Sequence, residues 1–285
     1  VFRRSTIILL GNLLWVSLIC AQTRDAGRQP LLPSEVAPTE TDDNGARLID
    51  LHLQARGGVE TLLRIQSLDF RGELREGKTT WNRRWRWDDP NAFHLEQWRE
   101  HLGRDYRTVW ATDGRETWTQ ELGPEEKRER SLEGSAEKAF FWEATQEALI
   151  FRHLLEWREA GHIMAFDGTR RYNGHEVYIV KAKLKDGPIV YYYLDKENFL
   201  LRAIGYRQRF GNTEANVDLI PTGAQKMNGI VVETGWEWQV EGRVFRRLTY
   251  KRQELSLRPA PDFTLFEKPK RREVWLGSGG AHERP

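Results

Sequence analysis

"IVYYYLDKENFLLRAIGYRQRF", residues 189–210, decides the fold. An unbroken apolar and aromatic run, Ile189 to Leu194, meets a polar break at Asp195-Lys196-Glu197-Asn198. A second run then begins at Phe199-Leu200-Leu201. Short apolar runs rich in aromatics and closed by turn formers are strands, and a pair of them about a short polar link is a β-hairpin. The tyrosines supply no nucleophile, base or metal ligand at a spacing that carries such chemistry. What the protein does with a long sheet so rich in aromatics is the question the rest of the chain has to answer.

Strands extend in both directions from this hairpin. In "SLDFRGELR" (67–75), Leu68, Phe70, Gly72 and Leu74 alternate with Asp69, Arg71, Glu73 and Arg75, the pattern of a half-buried antiparallel strand. "TTWNRRWRWDD" (79–89) places Trp81, Arg83, Trp85 and Trp87 on one face. "FHLEQW" (93–98) and "YRTVWATDGRETWT" (106–119) continue the series, with Asp113-Gly114 as a tight turn. "EVYIVKAKLKDG" (176–187) puts Tyr178, Val180, Ala182 and Leu184 on one side, and Lys181, Lys183 and Lys185 on the other. "GIVVETGWEWQVEGRVFRRLTY" (229–250) aligns Ile230, Val232, Thr234, Trp236, Trp238 and Val240, then turns at Glu241-Gly242. The mixed-charge stretch "GPEEKRERSLEG" (123–134) reads as a solvated loop.

Helices are few. One starts near Asn44 as N-cap, with Leu48, Leu51 and Ala55 along a face, and stops at Gly57-Gly58 before a helical turn at Leu62-Leu63. A longer amphipathic helix runs from Ser135 to about Arg158, with Phe141, Ala144, Ala148, Phe151 and Leu155 at helical spacing. The fold class is therefore mainly β with some α (α+β). About eleven strands, joined by short links, form a curled antiparallel sheet. The sheet is an incomplete barrel, and the two principal helices are the only cover for its apolar face.

The N-terminus reads as an export signal over residues 1–21. Arg3-Arg4 precede an apolar stretch from Ile7 to Ile19, and Ile19-Cys20-Ala21 fits a signal-peptidase site. The stretch is shorter than the roughly 20 residues a membrane-spanning helix needs. Cys20, the single cysteine, offers the alternative of lipidation, although Ile19 is not the small residue normally found before a lipidated cysteine. Cleavage after Ala21 leaves no disulfide and no thiolate metal site. Residues 22–43, with three prolines in "QTRDAGRQPLLPSEVAPTETD", read as a flexible linker, 44–270 as one domain and 271–285 as a flexible tail. Without Arg3 and Arg4 the 44 basic residues fall to 42 and balance the 42 acidic ones. Such a neutral, interleaved surface argues against nucleic acid and against a polybasic membrane anchor.

Reactive constellations are sparse. No histidine pair has zinc-site spacing, so no metal and no cofactor is expected. There is no Gly-x-Ser-x-Gly elbow, and "GSGGAH" lacks the strand and helix of a phosphate loop. His94 and Glu96 share one strand face. They form either an acid–base pair for a hydrolase or simply a solvated face. The tryptophans, 12 in all, are the positive signal. Alternating aromatics in strands are ordinarily core. Under a curled sheet with little helical cover they are equally suited to line an apolar cavity.

The order of elements resembles the LolA/LolB-like superfamily, in particular exported bacterial proteins described as outer-membrane lipoprotein-sorting proteins. The resemblance begins with "LIDLHLQARGGVETLLRIQSLDFRGEL" (48–74) and continues through "WATDGRETW" (110–118). It is fullest in "FDGTRRYNGHEVYIVKAKLKDGPIVYYYLDKENFLLRAI" (166–204), with Gly168, Gly174, Asp186-Gly187 and Leu194-Asp195, and it closes with "DFTLFEKP" (262–269). One position departs from the pattern: a proline is expected after Gly229 and the apolar residues that follow, and Glu233 stands there. The resemblance implies a half-barrel whose apolar interior shields the acyl chains of lipids or lipoproteins in the periplasm, without catalysis. The cavity-lining residues expected from alternation are Leu68, Phe70, Trp81, Trp85, Trp87, Tyr178, Val180, Trp236 and Trp238. The partners expected are lipoprotein acyl chains or other lipid, and a monomer is expected. The alternative on the same fold is a periplasmic envelope-stress sensor or protein-binding module, with envelope proteins as partners.

Overall fold

The computed structural model describes residues 36–88, 92–123, 127–132, 154–185, 187–210, 213–257 and 266–267. The expected export signal with Cys20, the linker up to residue 35, the second helix up to residue 153 and the tail 271–285 lie outside the described residues.

Among the described residues, thirteen strands form one antiparallel sheet. They are β1 (Ser67–Glu76), β2 (Thr79–Asp88), β3 (Ala92–His101), β4 (Arg104–Thr112), β5 (Thr117–Leu122), β6 (Lys127–Leu132), β7 (Ile163–Tyr172), β8 (His175–Lys183), β9 (Ile189–Asp195), β10 (Leu201–Phe210), β11 (Thr213–Met227), β12 (Ile230–Val240) and β13 (Arg243–Ser256). Two meanders, β1–β6 and β7–β13, meet where the first strand pairs with the last, so β1 lies beside β13 and the edges are β6 and β7. The two edges do not pair, which leaves an incomplete barrel.

β6 falls in the stretch expected to be a solvated loop. Its sequence, "KRERSL", has no apolar face, yet it pairs with β5 from Thr117–Leu132 to Leu122–Lys127. Charge is what an edge strand needs to discourage pairing with another molecule, and it also hides the strand from a search for alternation.

Close backbone approach shapes the middle of the sheet. A Cβ on Gly72 of β1 would overlap the Thr249 carbonyl of β13. One on Gly235 of β12 would overlap the Leu248 carbonyl. The register shifts at Arg71/Gly72, and again at Trp238/Gln239 on the other side of β13. Bulges of this kind bend strands and increase twist. Glycines on both sides of Leu248-Thr249 allow the sheet to coil where its halves join.

The first helix, α1 (Asp43–Ala55), is capped by Asp42 rather than Asn44, which lies two residues further on, already inside the first turn. The Asp42 carboxylate accepts from Gly45 N at 2.6 Å and from Phe166 N of β7 at 2.7 Å, so one side chain both caps the helix and pins it to the sheet edge. The buried face is Leu48, Ile49, His52 and Leu53, with Leu51 and Ala55 only half-buried. Two polar residues, His52 and Arg56, turn inward with partners of their own, and this rotates the face away from a purely apolar stripe. After Gly57-Gly58, the single turn α2 (Val59–Leu63) buries Leu62. Residues 154–161 add Leu154 and Trp157 to the core, and Arg158 ties them to α1 through Asp50 at 2.9 Å.

The opening hairpin behaves as read, with one change. Phe199 lies in the turn, at φ 58°, and β10 begins at Leu201. Asp195 organises the turn: its carboxylate accepts from Glu197 N at 2.9 Å and from Arg202 Nε at 2.7 Å. β9 is buried along nearly its whole length because both its faces are covered. Tyr192 and Leu194 face the main core. Tyr191 and Tyr193 join Tyr172, Val177, Ile179 and Ala203 in a second cluster on the convex face. A strand buried on two sides is written as a continuous apolar run, not as an alternation.

Candidate functional site

Strand pairing places the expected lining residues on one concave face. Leu68 lies opposite Trp87, Phe70 opposite Trp85 and Leu74 opposite Trp81. Trp87 continues to Phe93, and Trp85 to Leu95 and Trp110. On the other half a single row crosses five strands: Val180, Tyr192, Ile204, Leu219 and Trp238. Trp236 meets Leu248, which meets Leu74 and so joins the halves. Leu68, Phe70, Trp85, Trp87, Val180, Trp236 and Trp238 are buried members of one hydrophobic cluster, against which Trp81 and Tyr178 pack half-buried. Sequence reasoning did not name Tyr192, Phe93, Leu95 or Leu219 for this face. Pairing partners of Val180 and Trp85 would have pointed to them, but pairing is not visible in one strand alone.

At one end the face becomes polar. Arg83 and Gln97 lie opposite each other beyond Trp85. Arg99 stacks its guanidinium on Trp81, 4.4 Å from the ring centre, and faces Tyr106 at 5.5 Å. At the other end Tyr178 stacks on Phe199 with centroids 6.1 Å apart.

The helix that covers this face is held at both ends. At its C-terminal end the Arg56 guanidinium, 1% exposed, donates to both carboxylate oxygens of Glu233 on β12, at 2.6 and 2.7 Å. Val231 N donates to the Arg56 carbonyl at 2.8 Å. Glu233, the residue that breaks the expected pattern, is thus the fork that receives this arginine. Midway along α1, His52 Nδ1 lies 2.8 Å from the Phe199 carbonyl. That oxygen only accepts, so Nδ1 carries the proton. Burial first, and then the nearby Arg56 charge, hold the imidazole pKa down to about 3. His52 is neutral, and its Nε2 is a bare acceptor.

Among the described residues, the buried polar atoms packed into this cluster that have no hydrogen-bond partner in the protein include Trp85 Nε1, Trp157 Nε1, Trp236 Nε1, Tyr192 Oη and His52 Nε2. Buried polar groups are nearly always bonded, and each exception calls for an explanation.

The convex face carries its own polar residues. His94 and Glu96 do share a side, but that side is buried rather than solvated. Arg86 Nη2 donates to His94 Nδ1 at 3.1 Å, and Arg107 pairs with Glu96 at 2.7 Å. Burial, with Arg86, Arg107 and Arg84 nearby, takes the His94 pKa to about 3. Its basic nitrogen is occupied by a guanidinium, so the pair is a charge network and not a base poised for proton transfer. Lys181 lies on the side of β8 opposite Tyr178 and Val180, as its alternation suggests. It is buried, with Nζ 5.6 Å from the Tyr191 ring centre. Asp218 on β11 is also buried, which raises its pKa to about 7, with Glu241 adding to the effect. Among the described residues no group of His, Cys, Asp and Glu could hold a metal ion, and no helix is long and apolar enough to cross a membrane.

Solved structures share this architecture. A DUF1329 family protein from Desulfovibrio piger superposes with a TM-score of 0.50 at 14% identity, covering 79% of this chain and 98% of its own. A LolA superfamily protein from Nitrosomonas europaea gives 0.51 at 11% identity, with 79% and 97% covered. The fold is LolA-like. An outer membrane lipoprotein-sorting protein domain from Vibrio parahaemolyticus gives 0.42 at 11% identity, with 75% and 93% covered. No family model matches the sequence, and no curated protein matches it. At these identities the LolA-like likeness speaks to fold alone.

Proposed function

We propose that the protein is an exported, non-enzymatic carrier that holds acyl chains of lipids or lipoproteins against the concave face of its half-barrel. The observation that carries this reading is an aromatic face continuous from β4 across the junction of β1 and β13 to β8, on a sheet whose edges do not close. Leu68, Phe70, Trp81, Trp85, Trp87, Tyr178, Val180, Trp236 and Trp238 line the space, under α1 as cover. Each methylene withdrawn from water contributes about 0.8 kcal/mol, so affinity comes from chain burial and needs no covalent chemistry. Arg3-Arg4 and the apolar stretch to Ile19 support export to the periplasm, with Cys20 as an alternative anchoring point. The carrier acts as a monomer, and its working domain is 44–270.

The test is to express the full chain in a bacterium, purify it, extract it with organic solvent and analyse the extract by mass spectrometry. Acyl lipid near one equivalent per chain is expected. Trp85→Glu should abolish uptake of a fluorescent fatty acid while the circular-dichroism signal of the sheet persists. Lipid-free protein that also refuses the fluorescent fatty acid would contradict the carrier reading, and would leave a packed core on a protein-binding module.

A further inference from the structure

We propose that the polar end of the concave face is an anion subsite, in which Arg99 grips a phosphate or carboxylate. It rests on the carrier reading above and adds a charge requirement to it. The group is compact. Arg99 of β3 has its Cζ 4.4 Å from the ring centre of Trp81 on β2 and 5.5 Å from that of Tyr106, its partner in register on β4. All three residues are half-buried, and Trp81 packs against the main hydrophobic cluster. This is where the apolar face meets water.

Arg99 is also uncompensated. Among the described residues it makes no ion pair and no side-chain hydrogen bond, and its Nε is buried without a partner. Other arginines of the sheet and its helix are matched: Arg56 with Glu233, Arg84 with Asp69, Arg107 with Glu96, Arg202 with Asp195. A guanidinium has donors only, and stacking on rings fixes its plane, so Arg99 presents a pre-organised fork. Two oxygens of a phosphate or a carboxylate complement that fork. The neighbouring rows favour the same charge. Register and alternation place Arg83, Arg99, Arg104 and Arg246 on this end of the face against Glu76 and Glu121, four positive charges to two negative ones. Glu76 is itself taken by Arg246 at 3.0 Å. Beside an apolar wall, such an excess attracts anions.

The test compares dodecyl phosphate with neutral 1-O-dodecylglycerol, each titrated below its micelle concentration into the delipidated full chain and read by tryptophan fluorescence. The phosphate should bind about tenfold more tightly, the worth of one charge-assisted contact at a half-exposed site. Added salt should narrow the ratio. Arg99→Met keeps an apolar stem against Trp81 and removes the charge, so the ratio should fall to near one with the circular-dichroism signal intact. Two further arms separate the sources. Dodecanoate ranks carboxylate against phosphate. Inorganic phosphate at millimolar concentration, if it displaces dodecyl phosphate from the parent, marks a site for the free anion; if it does not, the anion is held as the head of an amphiphile. Equal binding of the two dodecyl probes, or a ratio that Arg99→Met does not move, would overturn the inference and leave the carrier reading standing. Failure of both probes to bind would overturn both.

Discussion

Removing one member of the Arg56–Glu233 pair should damage this protein far more than removing both. The pair closes the C-terminal end of α1 onto β12, with side chains 1% and 12% exposed and two hydrogen bonds of 2.6 and 2.7 Å. Glu233→Gln keeps the volume but withdraws the charge, and it turns an amide N–H toward a guanidinium N–H. Breaking a buried pair in this way costs about 3–5 kcal/mol, because the remaining charge stays desolvated. At ~1.4 kcal/mol per decade, that lowers the folding constant by more than about 100-fold. With a urea slope of about 2–3 kcal/mol per molar, the midpoint should fall by roughly 1–2 M. Replacing both partners, Arg56→Met with Glu233→Leu, removes the charges together and should return stability to within about 1 kcal/mol of the parent. Urea titration followed by tryptophan emission measures all three proteins. A loss of less than ~0.5 kcal/mol for Glu233→Gln would match an exposed pair screened by water and would refute the reasoning. So would a double variant no better than the single.

Other substitutions test separate parts of the structure. Gly72→Ala should destabilise the junction of β1 and β13 by about 1–3 kcal/mol, since its Cβ meets the Thr249 carbonyl and backbone has little room to yield. A urea midpoint equal to that of the parent would mean the sheet is less tightly coiled there. Asp218→Asn should show an effect that depends on pH. Burial raises the Asp218 pKa to about 7, so the folded protein binds this proton where the unfolded chain has lost it. The parent therefore loses stability as pH rises from about 4 through 7. Asparagine removes that loss: it should stabilise by up to about 4 kcal/mol at pH 8 and change little at pH 4. Equal effects at the two pH values would contradict the assignment. His52 has the opposite sign. With a folded pKa of about 3 against 6.5, its contribution is present above pH 6.5 and is lost as pH falls toward 3. His52→Gln should flatten the acid limb of the stability profile by about 1.4 kcal/mol per pH unit, and an unaltered limb would refute it.

Much of the fold was legible because antiparallel strands with one buried face spell out their alternation. Trp81, Trp85 and Trp87 share a face in the sequence and share it in the sheet. Other features were not legible, for physical reasons. β6 has no apolar side, so periodicity passes over it. The convex cluster around Tyr191 and Tyr193 needs knowledge that both faces of β9 are buried, and a continuous run cannot say what covers it. The junction of β1 with β13 joins the two ends of the strand series, and no local signal reports it. The link from Arg56 to Glu233 spans 177 residues, and in the sequence the glutamate looks only like a missing proline. The unpartnered buried atoms are likewise invisible without coordinates, because a buried tryptophan gives no hint in sequence of whether its N–H has found a carbonyl.

The central claim is that acyl chains lie on the concave face. The most direct measurement is photo-crosslinking with a palmitate that carries a diazirine near its methyl end, followed by peptide mass spectrometry of the full chain. The account predicts label on peptides of β1, β2, β8 and β12, at or beside Phe70, Trp85, Val180 and Trp236, and loss of that label in Trp85→Glu. Label confined to the convex residues Tyr172, Ile179 and Tyr193, or an absence of saturable label, would contradict it.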